Sequence, residues 1–206
     1  MTRIFLATGL LIVLAGCAST PPVHYTLTPP AKSVSQSGNP SLPVGSTVKP
    51  YALTRVTVPA ESDQTAIVAR QEDGRMLVLE FDRWVASLSS HLQSAISVDM
   101  TSQLGIPPVQ NLGNLSMDKS LTRIQLDVQR FDMVPGRHVA LAAVWRIQYA
   151  SPASTLICHA EMQQTIDPGV SAMVVGQQKN VRQLSELMSR TMITKGSVAG
   201  STCSTI

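Results

Sequence analysis

Apolar and polar residues alternate most cleanly in the middle of the chain. Val139, Leu141, Ala143, Trp145, Ile147 and Tyr149 take every second position, the period of a strand with one buried face, and the other face carries Arg146 and Gln148. Leu156, Cys158, Ala160 and Met162 alternate in the same way with Ile157, His159, Glu161 and Gln163. Upstream, Ile124, Leu126 and Val128 alternate with Gln125, Asp127 and Gln129 before the apolar parity shifts to Phe131 and Met133, which predicts a bulge. Pro135-Gly136 and Ser151-Pro152 supply turns. Connections this short join antiparallel neighbours, so the segment predicts a meander.

Shorter strands precede it. Tyr25 and Leu27 suggest a first strand beginning near His24, and Leu53 to Val58 is rich in β-branched residues. Ala66 to Arg70 and Met76 to Phe81 flank Asp73-Gly74, a dipeptide suited to a tight hairpin turn. A helix is then expected: Asp82 as its cap, Val85, Leu88, Leu92, Ala95, Ile96, Met100 and Leu104 as its apolar stripe, Gly105 and Pro107-Pro108 as its stop. A second helix follows the meander. Asp167 and Pro168 read as its N-cap and first-turn proline, Met173, Val174, Val181, Leu184, Leu187, Met188 and Met192 as its apolar side, and Gly196 as its C-terminal cap. Gly176 weakens its middle by about 1 kcal/mol relative to alanine. Met162, Met173, Met188 and Met192 fit either core filling or an adaptable pocket. The tail from Ser197 to Ile206 is small and polar, with Cys203 as its one candidate hold. Two amphipathic helices and one half-solvated sheet predict an α+β fold, a two-layer sandwich of mostly antiparallel sheet with two long helices packed on one face.

The start of the chain follows a different rule. Thr2 and Arg3 lead an apolar run from Ile4 to Leu14, closed by Leu14-Ala15-Gly16-Cys17. A charged start, a short apolar middle and a small-residue cut site are the parts of a cleaved signal peptide. The run is shorter than the ~20 apolar residues a membrane span needs. Residues 1–16 are therefore expected to be removed, leaving Cys17 as a lipidated N-terminus with a tether over 17–23. Two acyl chains hold a protein stably on a bilayer, so the mature protein would be membrane-attached without spanning. Ala18, rather than Asp, follows the cysteine, which matches the pattern of lipoproteins sorted to the outer membrane, facing the periplasm. The remaining residues, 24–206, are of single-domain length. A Pro/Ser-rich stretch at 28–50 reads either as an irregular excursion or as an extension of the tether.

Composition removes several functions. Lys+Arg 16 against Asp+Glu 13 leaves charge low and nearly balanced, and there is no basic run or stripe with interleaved aromatics. Nucleic acid is therefore not an expected partner. There is no nucleophile elbow, no zinc-protease helix, no paired-cysteine metal motif and no phosphate-cradling glycine loop, so no catalytic residue, metal or cofactor is assigned. His24, His91, His138 and His159 are scattered. Cys158 and His159, as strand neighbours, point to opposite faces and make a poor nucleophile and base. With Cys17 acylated, Cys158 and Cys203 either pair in an oxidising compartment or stay apart, Cys158 then serving as a small buried hydrophobe.

The order of these features resembles the ABC-type transport auxiliary lipoproteins, the PqiC or YmbA-type family. The resemblance rests on the lipobox, Tyr25-Thr26-Leu27, Val56-Thr57-Val58-Pro59, Ile67-Val68-Ala69-Arg70 and Phe81-Asp82-Arg83-Trp84. Ala60-Glu61-Ser62 and Val85-Ala86-Ser87 depart from the family's usual residues. The resemblance implies an accessory or docking component of an envelope lipid-transport system with an MCE-domain protein, which maintains membrane integrity and assembles as a homo-oligomeric ring. It points to Arg83 and Trp84 as partner-binding positions, against the plainer reading of a tryptophan that packs the core. A different class of role, a structural lipoprotein that stabilises another envelope complex, fits the same residues.

Overall fold

A computed structural model describes residues 21–29, 48–109, 120–150 and 153–206. The expected leader, Cys17, most of the Pro/Ser-rich stretch and the Ser151-Pro152 turn lie outside the described residues. In chain order the elements are β1 (Val23–Tyr25), β2 (Tyr51–Thr57), β3 (Ala66–Arg70), β4 (Met76–Trp84), α1 (Leu88–Leu104), β5 (Thr122–Val134), β6 (His138–Ala150), β7 (Ala153–Thr165), α2 (Val170–Thr194) and β8 (Thr202–Thr205).

The α+β class and the meander hold. β5, β6 and β7 pair antiparallel along nearly their full length. The register shift falls between Val128 and Arg130, where the apolar parity changes, so Gln129 is the extra residue that turns Phe131 and Met133 inward. The strands do not form one sheet, however. β2-β5-β6-β7-β8 make a five-stranded sheet and β1-β4-β3 a separate three-stranded one. Two pairings, β2 with β5 and β1 with β4, are parallel. A period of two reports that a strand has a buried face and says nothing of which neighbour it meets, so pairings this remote in sequence leave no local mark.

Both helices lie over the five-stranded sheet, α1 against β2 and α2 against β6 and β7, and they pack on each other. Leu92, Ile96, Met100, Leu184 and Met188 share this core with Ile124, Leu141, Trp145 and Ile147. Trp145 satisfies its one polar atom there, its indole Nε1 donating to Thr191 Oγ1 at 3.0 Å. Met162, Met173, Met188 and Met192 are all buried in it, so they fill the core and line no open groove.

The helix ends differ from expectation. Asp82 does not cap α1; β4 runs on through Trp84 because β1 pairs with it there, and Asp82 instead accepts a hydrogen bond from Tyr25 at 3.0 Å. Val85 is correspondingly outside α1 and exposed. The first turn of α1 is served from afar: Asp63 accepts from the Ser89 N–H at 3.0 Å and from its hydroxyl at 3.1 Å, as a capping carboxylate would. α2 starts at Val170, after Gly169, so Asp167 and Pro168 precede the helix. Lys195, not Gly196, takes the left-handed position at its end. Gly176 has a positive reason for its place. A Cβ there would stand 2.6 Å from Val139 Cγ2 and 2.8 Å from Ile166 Cγ2, so its bare backbone lets α2 approach the sheet.

Candidate functional site

The N-terminal segment is fastened to the domain through a small set of polar contacts. β1 runs parallel to the end of β4 with Val23 opposite Asp82 and Tyr25 opposite Trp84. Just beyond it, Leu27 is buried. His91, in the first turn of α1, receives the segment: its Nε2 lies 3.0 Å from Thr26 Oγ1 and 3.3 Å from the Leu27 nitrogen. Gln178 of α2 donates to the Thr26 carbonyl at 2.7 Å. A backbone N–H can only donate, so Nε2 is the acceptor and the proton of the neutral ring sits on Nδ1. That Nδ1 is buried and has no hydrogen-bond partner among the described residues. Burial holds the imidazole below its ordinary pKa, which keeps the ring neutral and able to accept.

Beside His91 the two family-derived positions separate. Trp84 is 2% exposed, its ring edge-on to His91 at 5.8 Å and to Phe131 at 6.4 Å. It is a core residue that ties the small sheet to the large one. Arg83 is half-buried and donates from Nε to the Glu80 carbonyl at 3.0 Å. Of the pair, Arg83 alone reaches the surface.

From sequence the adjoining stretch of β4 is a hairpin strand and nothing more. Its turn forms at Asp73-Gly74, where Gly74 has φ 87°, and Arg70 to Ile67 pair with Met76 to Leu79. Among the described residues only β3 pairs with this stretch. The β1 ladder reaches no further than Asp82, so the other edge of Met76–Phe81 carries no strand among the described residues. Met76, Leu77 and Val78 are exposed in succession, Phe81 is 55% exposed, and Val23 and Val85 are exposed near the strand's far end. Clustered apolar exposure of this kind marks an interaction surface more often than singly scattered residues do. No signal in the sequence distinguishes it, because the same residues would suit a strand covered on both faces.

Behind β3 an ion-pair cluster joins the small sheet to the large one. Asp132 is 5% exposed and accepts from Arg70 Nε at 2.7 Å and from Arg130 Nε; Arg130 also reaches Glu161 of β7 at 2.9 Å. Burial alone would raise the Asp132 pKa, but the hydrogen bonds from Arg130 and Arg70 outweigh it and hold the carboxyl below its ordinary range. At the opposite edge Cys158 and Cys203 stand directly across from one another on β7 and β8, and a disulfide links them with an S–S distance of 2.04 Å. Cys158 is thereby committed, and His159 points outward on the other face. Among the described residues no group of three or more His, Cys, Asp or Glu comes together as a metal site, and no helix is long and apolar enough to cross a membrane.

A family model for the ABC-type transport auxiliary lipoprotein component matches residues 25–189. No curated protein matches the chain. Among solved structures, one crystal structure of an uncharacterized protein aligns with a TM-score of 0.61 at 15% identity, covering 84% of this chain and 99% of that one. Protein XCC0632 from Xanthomonas campestris, of the DUF330 family, aligns with a TM-score of 0.52 at 14% identity over 71% of this chain and 85% of its own. At such identities the likeness is one of fold.

Proposed function

The chain belongs to the family of ABC-type transport auxiliary lipoprotein components, and from that premise we propose that it acts as an accessory or docking component of an MCE-type envelope lipid transport system that maintains membrane integrity. In this reading Cys17 is acylated, Ala18 directs the product to the outer membrane, and the domain faces the periplasm, where the oxidising environment suits the Cys158–Cys203 bond. The role is one of binding, without catalysis or cofactor. The partner is an MCE-domain protein, several copies assemble into a ring around it, and Arg83, beside the exposed stretch of β4, is a contact residue.

One observation carries the reading: a lipobox stands immediately upstream of a family match that spans most of the chain. Each part would be weaker alone. A lipobox gives an address without a task, and a transport-family domain gives a task without a place. The test is affinity capture of the native acylated protein from detergent-solubilised envelope, with intact-mass analysis of the captured chain and native mass spectrometry of the complex. The expected result is a chain beginning at a triacylated Cys17, recovered with an MCE-domain protein. A freely soluble chain that still carries its leader, or a partner set without any transport component, overturns the proposal.

A further inference from the structure

The exposed ridge of β4 has a neighbour dictated by the chain itself. Resting on the proposed acylation of Cys17, we propose that Met76, Leu77, Val78 and Phe81, with Val23 and Val85 at the strand's far end, seat the domain in the interfacial zone of the bilayer. Three observations lead there. Six peptide steps separate Cys17 from Val23, and at ~3.3–3.6 Å per residue they span no more than about 22 Å. Val23 is also the residue of β1 that pairs with Asp82 of β4. The tether therefore keeps this edge of the small sheet within short reach of the lipid surface.

The second observation is the pattern of exposure. Met76 and Val78 lie on one face of the strand and Leu77 on the other, yet all three are exposed. A folded partner laid on a sheet covers one face, and an added strand covers an edge, whereas an apolar medium covers both faces together. The third is the set of charges, which limits depth. Glu80 is exposed within the ridge, and Arg75 and Arg83 stand at either end of it. A carboxylate and the unladdered backbone groups of the outer edge are too costly for the hydrocarbon core. They are satisfied at the headgroup boundary, where amphipathic segments bury apolar side chains to a shallow depth.

The experiment places the full acylated chain in vesicles of phosphatidylethanolamine and phosphatidylglycerol and reads tryptophan quenching by lipids brominated high on the acyl chain. Trp84 and Trp145 are buried and set the background. Phe81→Trp, a conservative change at an exposed site, is expected to be quenched at least twofold more than that background; Val78→Trp serves as the second reporter should Phe81→Trp fold poorly. Val98→Trp, exposed on α1, is expected to add no quenching. Absence of added quenching at 81 and 78 while the protein still floats with the vesicles overturns the seat and leaves the acyl anchor standing. Self-association that protects these positions from lipid overturns it in favour of a second copy. Failure to float, with an unacylated mass, overturns the anchor and the seat with it.

Discussion

His91 carries a proton toward a side that offers no acceptor among the described residues, and accepts on the side where the N-terminal segment needs it. The arrangement works only for the neutral ring, because a second proton on Nε2 would face the Leu27 N–H. Burial lowers the folded-state pKa below the ordinary value of 6.5, so the unfolded chain takes up the proton first. The sign follows: the stability His91 contributes is complete above about pH 6.5 and is lost as pH falls below it. Denaturation midpoints measured from pH 7.5 down to 5 are expected to fall, and His91→Gln is expected to flatten that slope. Hydrogen-bond and ion-pair partners of this kind were the least legible part of the sequence. Asp63 beneath Ser89, Asp132 against Arg70 and His91 under Leu27 meet residues 26 to 64 positions away, and no spacing rule connects them.

At the level of elements, periodicity located what neighbouring residues decide. The meander, the Asp73-Gly74 hairpin, the bulge and, Val85 apart, the apolar helix faces are local patterns, and they stand where the pattern puts them. Helix starts were misplaced where a distant strand intervened, as at Asp82. Gly176 was visible as a weak point of α2, but its purpose is a contact with Val139 and Ile166. Both neighbours present β-branched methyls with little freedom to turn aside. Gly176→Ala is therefore expected to destabilise by about 1–2 kcal/mol, the overpacking cost exceeding the gain in helix propensity, as measured by chemical denaturation. A net gain in stability would show that α2 can lift from the sheet. The exposed stretch of β4 was illegible at this scale, because apolar content alone does not reveal that its outer edge carries no strand among the described residues.

Over the whole molecule, the C-terminal segment is held by a four-residue strand and one covalent link. The bond closes a loop with a sequence separation of 45, and removing it with Cys203→Ser is expected to lower stability by about 2–4 kcal/mol. Adding a reductant should bring the parent chain down to the variant, and an unchanged parent would show that the bond contributes little. The parallel union of β2 with β5 has a consequence in time as well as in space. Thr54 meets the Ile124 carbonyl across 70 positions, whereas β5, β6, β7 and α2 follow one another without a break in the succession of neighbours. Closing the longer loop is the slower step, so the later half of the chain is expected to organise first and to serve as the template on which the earlier half is laid. Pulsed hydrogen exchange during refolding checks this order: amides of β6 and β7 should gain protection before those of β2, and simultaneous protection would mean that the molecule condenses in a single step.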